Sequence, residues 1–176
     1  MNIEEIIKAE IRNIPDFPKP GIQFKDITPI LQKPQLTRKI TEAIRESLKD
    51  IKIDVVAGIE ARGFLFGMLI AEALEVPFVP VRKKGKLPAK VVSHEYLLEY
   101  GTDIIEMHAD AFMPGSKVLI HDDLLATGGT ASAAAQLVEK MGGNVAAFSF
   151  LVSLNFLNGA QNIDRFSKNI LTLAAY

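Results

Sequence analysis

Two adjacent carboxylates, Asp122 and Asp123, follow an apolar run and precede a short segment of small residues at 126–130. An alanine-rich, amphipathic stretch typical of a helix begins within this segment. Glycines let backbone N–H groups approach a ligand closely, and the first turn of a helix offers unpaired N–H donors at its positive dipole end. Threonine hydroxyls add further donors. This combination predicts a binding site for an anion, most naturally a phosphate.

The two carboxylates complement such a phosphate site. Ionised aspartates accept hydrogen bonds from sugar hydroxyls, and they can also hold the water shell of a Mg²⁺ ion. Either feature alone has a simpler explanation, because Gly128-Gly129 could be only a turn and the Asp pair could be a solvated helix start. Their occurrence together favours a ligand site, and the parts together indicate a ribose 5-phosphate.

Several common catalytic patterns are absent from the sequence. It contains neither G-x-x-x-x-G-K-[ST] nor a G-x-G-x-x-G after a strand, which disfavours an NTPase and a nicotinamide dehydrogenase. It also lacks G-x-S-x-G and H-E-x-x-H, and its three histidines do not have metal-ligand spacing. Because the chain has no cysteine, thiolate catalysis, disulfides and cysteine-bound zinc are excluded.

The composition is that of a folded chain without a general charge bias. Of 176 residues, 48% are apolar and 23% are charged, which excludes disorder. The net charge of -1 gives no basic surface for nucleic acid or for an acidic membrane, so we expect neither partner. The first residues are acidic, and the apolar runs are shorter than the roughly 18 residues that cross a bilayer. We therefore expect a cytoplasmic protein.

Apolar runs alternate with helical patterns along the chain. Strands are predicted at 55–59, 78–81, 117–120 and 144–152. Helices are predicted at 3–12, at 36–48, from 63 to about 74 and at 129–141. This alternation predicts an α/β fold with a central, mainly parallel sheet flanked by helices. In such sheets ligands bind at the carboxyl ends of the strands, which is where Asp122 follows the third predicted strand.

No linker divides the chain, so we expect one domain over 1–176. Two segments lie outside the regular pattern, a Pro-rich loop at 15–34 and a long segment that begins at Arg82. The second carries five cations in residues 82–90, followed by a run of acids. A solvated surface hairpin is the plain interpretation of such a charge run. Its position at the end of a predicted strand favours a long flexible lid loop at 82–110.

The stretch from His121 to Thr130 resembles the phosphoribosyl-pyrophosphate signature of type I phosphoribosyltransferases. Similarity to the adenine-specific members of this family extends over nearly the whole chain, including 17–29, 58–64 and 82–88. Leu-Leu-Ala-Thr-Gly-Gly-Thr, which ends at Thr130, and Leu-Glu-Tyr-Gly at 98–101 distinguish the adenine enzymes from hypoxanthine, orotate and xanthine relatives. The resemblance implies the type I phosphoribosyltransferase fold. It also implies a reaction of purine salvage, in which adenine and phosphoribosyl pyrophosphate (PRPP) give AMP and diphosphate.

The same resemblance implies which residues bind PRPP. The 5-phosphate would be held by Ala126, Thr127, Gly128, Gly129 and Thr130. The ribose hydroxyls would face Asp122 and Asp123. The pyrophosphate would meet Glu60, Ala61, Arg62, Arg82 and Lys86. Mg²⁺ is the implied cofactor, held mainly by pyrophosphate, ribose and water with no direct protein ligand.

Adenine would lie under an N-terminal hood region formed by residues 1–34. The implied contacts are Gln23, Phe24 and Lys25, with Phe24 as the stacking face and backbone groups of its two neighbours reading the 6-amino group. Backbone carbonyls accept from an amino group and cannot satisfy a 6-oxo group, which would discriminate against hypoxanthine and guanine. A core position for Phe24 is the open alternative.

The resemblance assigns the chemistry to Glu99 and Arg62. Glu99 would exchange a proton with the purine ring, and Tyr100 would belong to the lid that keeps water from the reacting carbon. The family analogy also implies a homodimer. One departure from the family pattern is His121, which replaces an aliphatic residue. Its place at the end of a predicted strand favours a structural or pocket-lining residue over a ligand; in the pocket, we expect it to make the floor more polar and to titrate near neutral pH.

Two other functions stay open at this point. One is a regulator that uses the same fold to sense PRPP, although such chains usually add a DNA-binding segment and a basic face that this composition does not provide. The other is a phosphoribosyltransferase for a different base. Diphosphate release measured across several bases distinguishes all three.

Overall fold

The computed structural model describes residues 2–97 and 101–176. In this part of the chain the helices are α1 (Ile3–Glu10), α2 (Thr28–Leu31), α3 (Pro34–Ser47), α4 (Gly63–Ala73), α5 (Gly129–Lys140) and α6 (Gly159–Ile163), with a 3-10 turn at Asn155–Leu157. The strands are β1 (Arg12–Pro15), β2 (Gln23–Asp26), β3 (Val55–Ile59), β4 (Phe78–Lys83), β5 (Val91–Leu97), β6 (Thr102–His108), β7 (Lys117–Leu125), β8 (Asn144–Ser153) and β9 (Ile170–Ala175). No helix within these residues is both long and apolar enough to span a bilayer.

Seven strands form the main sheet in the order β5-β6-β4-β3-β7-β8-β9. The strands from β4 to β9 in this order are parallel to one another, and β6 joins β4 in the antiparallel direction. The prediction of a mainly parallel sheet flanked by helices is confirmed. The sequence did not reveal β9, which follows the fourth predicted strand and forms the edge of the sheet beside β8.

Helices cover both faces of the sheet, and β7 shows how the layers are divided. Val118 and Ile120 pack in the layer that contains α5. Leu119 packs in the opposite layer with Phe66 of α4 and Ile40 of α3. This alternation follows from the two-residue period of a strand, and burial on both faces explains why the apolar run is continuous.

The segment that begins at Arg82 is structured differently from the prediction. β5 and β6 pair in antiparallel register from Val91 opposite His108 to Leu97 opposite Thr102, and β6 continues the main sheet beside β4. The expected long loop at 82–110 is therefore wrong over the described residues. The segment is a hairpin, as in the plain interpretation, but it joins the main sheet and is not simply a solvated surface hairpin. Two buried residues of β6, Ile105 and Met107, fix this hairpin on the core, a signal that the surrounding charges obscured.

The Pro-rich segment predicted as a loop also contains regular structure. β2 pairs with β1 as a separate two-stranded sheet, with Ile14 opposite Phe24. Asp26 at the end of β2 is buried and ion-paired with Arg12 at 2.7 Å, and it accepts a 2.9 Å hydrogen bond from the Thr28 backbone N–H. Burial alone raises the pKa of Asp26, but the hydrogen bonds from Thr28 and Arg12 outweigh it, and the pKa is lowered.

Candidate active site

The carboxyl ends of β3, β4 and β7 meet at one edge of the sheet, because the three strands are parallel neighbours. A cavity of about 240 Å³ opens there, and its lining includes Glu60, Arg82, Asp122 and Thr130. A second cavity of about 90 Å³ lies beside it and is lined by residues 124–131 together with Asp122. The two cavities share Asp122 and Thr130, so they form one continuous site along the end of β7.

The smaller cavity is built by the loop between β7 and α5. Gly128 in this loop has φ of +79°, and a Cβ atom there would lie 2.5 Å from the Gly159 carbonyl oxygen, so only glycine fits. From outside, Asn162 Nδ2 donates a 2.6 Å hydrogen bond to the Thr127 carbonyl oxygen. The five residues Ala126 to Thr130 all line the cavity, where the first turn of α5 begins. The loop is thus a fixed backbone cradle at a helix N-terminus.

Sequence reasoning missed the support that α6 gives to this cradle. A Cβ atom on Gly159 would lie 2.2 Å from the Ala126 carbonyl oxygen, so the start of α6 packs backbone against backbone on the loop. Asn158 adopts the left-handed conformation with φ of +54°. The Asn-Gly dipeptide at 158–159 is a turn signal that could have drawn attention to this region.

Asp122 and Asp123 lie within β7 rather than after it. Since successive side chains of a strand point to opposite faces, the two carboxylates diverge. Asp122 lines both cavities, whereas Asp123 is 3% exposed and its Oδ2 lies 2.6 Å from Arg62 Nε. Burial raises the pKa of Asp122, and the neighbouring Asp123 carboxylate raises it further. Burial also raises the pKa of Asp123, against the opposing charge of Arg62.

The start of α4 positions Arg62. A Cβ atom on Gly63 would lie 2.8 Å from the His121 carbonyl oxygen, so the absence of a side chain lets α4 begin directly against β7. Arg62 precedes α4 as its N-cap residue and is therefore held beside Asp123. Its guanidinium carbon also lies 4.9 Å from the centroid of the Phe24 ring. One side chain thus joins the end of the sheet to the N-terminal region.

The three side chains predicted to surround the base are placed differently from one another. Phe24 is half-buried, stacks on Arg62 and meets Phe17 edge-to-face at 5.1 Å, outside the two core layers. Lys25, the next residue of β2, extends away from Phe24. Its Nζ donates a 2.6 Å hydrogen bond to Asn13 Oδ1. Gln23 is exposed. Of the three side chains, Phe24 is the one that contacts Arg62.

Glu60 organises the cations of the larger cavity. Lys86 Nζ donates to its Oε1 at 2.5 Å, and Arg82 Nε and the Lys83 backbone N–H donate to its Oε2 at 3.2 and 3.0 Å. Burial alone raises the pKa of Glu60, but the hydrogen bonds from Lys86, the Lys83 backbone and Arg82 reverse this and lower the pKa to about 2. Glu60 is joined by a cis peptide bond to Ala61, which leads to Arg62.

The acids that follow the basic run hold its turn in place. Glu106 is 6% exposed and accepts a 2.9 Å hydrogen bond from the Gly85 backbone N–H. Asp103 Oδ2 lies 3.1 Å from Lys83 Nζ. Both acids belong to β6. The acidic run of the sequence therefore pairs with the basic run that precedes it, at the turn that carries Lys86. Sequence reasoning noted these acids without finding this role.

The chain is similar to known proteins over nearly its whole length. Residues 26–168 match the family model described as phosphoribosyl transferase domain. An adenine phosphoribosyltransferase from Cytophaga hutchinsonii is 50% identical over 174 residues, which cover 99% of this chain and 96% of that protein. The chain belongs to the adenine phosphoribosyltransferase family.

Solved structures of the adenine phosphoribosyltransferase family share this fold. The crystal structure of the enzyme from Thermoanaerobacter pseudethanolicus has a TM-score of 0.94 and 52% identity, covering 98% of this chain and 99% of that one. The Saccharomyces cerevisiae enzyme, complexed with adenine and D-2,5-dideoxy-2,5-imino-altritol 1,6-bisphosphate, has a TM-score of 0.90 and 40% identity, covering 97% and 98%. The expected type I phosphoribosyltransferase fold is confirmed.

One expectation drawn from the adenine phosphoribosyltransferase pattern is wrong. His121 is fully buried, and its Nδ1 lies 2.8 Å from Ser149 Oγ of the neighbouring strand. Burial lowers the pKa of His121 to about 3, so the ring is neutral at physiological pH. It faces the α4 side of the sheet, near Gly67, and is absent from the lining of both cavities. His121 therefore ties β7 to β8 instead of forming a polar, titrating pocket floor.

Two predicted site residues, Glu99 and Tyr100, lie outside the described residues. Within 2–97 and 101–176, no three His, Asp or Glu side chains come together as a metal site. Asp122 lines both cavities, and Glu60 and Asp103 line the larger one.

Proposed function

We propose that this chain transfers the 5-phosphoribosyl group of PRPP to adenine and releases AMP and diphosphate. The observation that carries the proposal is the pair of adjoining cavities. One is walled by backbone amides and the first turn of a helix, the other by Arg82 and Lys83, and Asp122 lies between them. A molecule with a phosphate at one end, a sugar in the middle and a pyrophosphate at the other end matches this order of groups.

The smaller cavity suits the 5-phosphate. Residues Ala126 to Thr130 would donate backbone and hydroxyl hydrogen bonds to it, supported by the dipole of α5. Asp122 would accept hydrogen bonds from the ribose hydroxyls. Asp123 lies beside Arg62 and would contact the ribose from that position. The phosphate would fix C1′ of the sugar at the end of β7.

The larger cavity suits the pyrophosphate. Glu60 holds Arg82 and Lys86 at one place before the ligand enters, and the pyrophosphate oxygens would then take over their hydrogen bonds. The leaving group gains negative charge as its bond to C1′ breaks. Cations placed for that charge therefore stabilise the transition state more than the ground state. Arg62 and the backbone at Ala61 would complete the pyrophosphate site.

Adenine would bind between Phe24 and the sugar. Its ring nitrogen forms the bond to C1′ while the C1′–O bond to diphosphate breaks, and the nitrogen gives up its proton. We assign the acceptance of that proton to Glu99, and the exclusion of water to the part of the charged segment that contains Tyr100. The backbone at Gln23 and Lys25 would select the 6-amino group over a 6-oxo group.

Mg²⁺ fits the proposal as a companion of the pyrophosphate. The chemistry of the donors agrees with this, because Mg²⁺ retains several waters and binds through one or two carboxylates plus phosphate oxygens. Asp122 is the side chain of this chain that would hold such a water shell. When bound, the ion would neutralise charge on the departing diphosphate.

A homodimer is part of the proposal. Leu65, Met68 and Leu69 on α4 are 42%, 55% and 39% exposed and form an apolar strip on the outer face of that helix. Exposed apolar strips of this kind mark association surfaces, and a second copy of the chain would cover it. The strip lies on the same helix whose start positions Arg62, so association would also steady the site.

The remaining elements of the proposal concern organisation and location. Residues 1–176 would act as one domain with a hood at 1–34. A cytoplasmic location suits substrates that carry several phosphate charges, which do not cross a lipid bilayer unaided.

Diphosphate release tests the proposed function. The protein is mixed with Mg²⁺ and PRPP, and adenine, hypoxanthine or guanine is added in parallel samples. The expected result is release with adenine and none with the two oxo-purines. Release with another base would support the alternative transferase, and PRPP binding without release from any base would support a PRPP-sensing regulator.

A further inference from the structure

The β1–β2 hairpin is anchored at its base by Ile11 and Ile27, which are buried in the core. Beyond this base, two consecutive residues of β2 reach the rest of the structure on opposite sides. Phe24 reaches Arg62 at the start of α4. Lys25 reaches the ring of Tyr176, which follows β9, and its Nζ lies 3.8 Å from the ring centroid. β2 is therefore held between Arg62, which belongs to the candidate site, and Tyr176, which lies outside it.

The Tyr176 ring is a rigid support for this contact. Its backbone N–H donates to the Ser153 carbonyl at 2.9 Å, and its carbonyl accepts from the Asn155 N–H at 2.8 Å. These bonds lock the residue to the end of β8. Lys8 of α1 approaches the same ring, with Nζ 5.2 Å from the centroid. Two cations from two N-terminal elements thus share the one aromatic ring that follows β9.

Lys25 also connects the two strands of the hood. The same ammonium group that lies over Tyr176 donates a 2.6 Å hydrogen bond to Asn13 Oδ1 of β1. An ammonium over an aromatic face is attracted to the ring quadrupole, more strongly when it is shielded from water. The contact therefore fixes the whole hairpin, rather than one side chain, relative to the sheet.

We propose that Tyr176 is a positioning residue for the base site. Through Lys25 it sets the tilt of β2 and hence the separation of Phe24 from Arg62, without touching the base itself. A ligand that binds one orientation of the hood has its apparent affinity reduced by the fraction of molecules in that orientation. Loss of the Tyr176 ring therefore weakens adenine binding and leaves the PRPP cradle at 126–130 unchanged.

This inference rests on the proposed function, and steady-state kinetics test it with a series of variants. Tyr176→Ala is expected to raise KM for adenine about two- to tenfold, the range of one cation–π contact, with kcat and KM for PRPP unchanged. Tyr176→Phe retains the ring, and the Tyr176 hydroxyl has no hydrogen-bond partner among the described residues, so this variant is expected to match the unsubstituted protein.

Lys25 supplies the second half of the test. Lys25→Met is expected to raise KM for adenine by a similar factor, and Tyr176→Ala combined with Lys25→Met is expected to be no worse than either alone. A matched control is Arg165→Met, which removes a cation that lies 4.5 Å from the centroid of the Phe166 ring, outside the hood at 1–34. It is expected to leave KM for adenine unchanged.

Each other outcome contradicts the inference. An unchanged KM for adenine in Tyr176→Ala, equal changes in both KM values, or additive effects in the double variant would show that Tyr176 does not act through β2. Hydrogen exchange of the amides at 12–26 gives a readout independent of turnover, with faster exchange expected in Tyr176→Ala and not in Tyr176→Phe. A protein that is inactive on adenine before any substitution refutes the proposed function, while the exchange result still decides the role of Tyr176.

Discussion

The backbone cradle at 126–130 and the hairpin at 12–26, part of the proposed hood, are held by different means. The cradle is fixed by backbone, through the contact of Gly128 with the Gly159 carbonyl and the hydrogen bond from Asn162 to the Thr127 carbonyl. The hairpin is fixed by side chains: Ile11 and Ile27 at its base are buried in the core, and Phe24 and Lys25 reach across to Arg62 and Tyr176. A backbone cradle is formed before its ligand arrives, whereas side-chain braces allow a hairpin to tilt. Under the proposed function, the difference predicts a preformed PRPP site and an adjustable base site.

Gly159→Ala breaks the rigid side of this comparison and has the largest expected effect. Its Cβ atom would lie 2.2 Å from the Ala126 carbonyl oxygen, so either the loop or α6 must move. Because displacement of a binding group by about 1 Å can cost about a hundredfold, kcat/KM for PRPP is expected to fall by about that factor. Ala160→Ser, one residue further along α6 on an exposed position, is the matched control and is expected to leave kcat/KM unchanged. Equal effects of the two variants would contradict a packed cradle.

Arg62→Ala acts where the two regions meet. It removes the 2.6 Å contact with Asp123 and the stacking on Phe24, and it leaves a buried carboxylate without its cation. Turnover is expected to fall about ten- to a hundredfold, and the free energy of unfolding to fall by about 1–3 kcal/mol. Kinetics and denaturant titration measure the two effects. Addition of Asp123→Asn to Arg62→Ala is expected to restore stability without restoring turnover; recovery of both would show that Arg62 serves only to neutralise Asp123.

Glu60→Gln gives the smallest effect and has a distinct pH signature. The folded-state pKa of Glu60 is lowered to about 2 from an ordinary 4.5, so its contribution to stability is present above pH 4.5 and is lost as the pH falls towards 2. The unsubstituted protein is expected to be more stable than Glu60→Gln by about 1–3 kcal/mol at neutral pH, and this difference is expected to shrink below pH 4.5.

Denaturant unfolding at several pH values measures this difference. Glu46→Gln is the matched control, since Glu46 pairs with Lys49 on the exposed face of α3. A stability difference for Glu60→Gln that is independent of pH would show that the carboxylate is not ionised by its partners.

The sequence predicted the cradle because its physics is local. The cavity is lined by consecutive residues at 126–130, which include glycines, threonines and the start of a helix. The sequence motif and the cavity therefore coincide. Four of the five parallel strands were equally visible as apolar runs, whereas β9 was not. By contrast, the divergence of Asp122 and Asp123 depends on β7 continuing to Leu125, and charged residues near a strand end gave no sign of that continuation.

The missed features depend on contacts between distant segments. Gly159 and Asn162 support a loop more than thirty residues earlier, and Tyr176 supports a hairpin at the other end of the chain. The charged hairpin at β5 and β6 was predicted as a loop because its buried residues, Ile105 and Met107, lie among acids that serve as partners of the basic turn. Pairings of this kind emerge only when the sheet has brought the segments together.

PRPP binding by Gly159→Ala and Tyr176→Ala tests the contrast between cradle and hood most directly. Calorimetric titration with PRPP and Mg²⁺, in the absence of adenine, isolates the cradle from the base site. A preformed cradle and a separate, adjustable hood predict that Tyr176→Ala binds PRPP with the Kd of the unsubstituted protein and that Gly159→Ala binds it far more weakly. Equal weakening in the two variants, or full PRPP affinity in Gly159→Ala, would contradict that account.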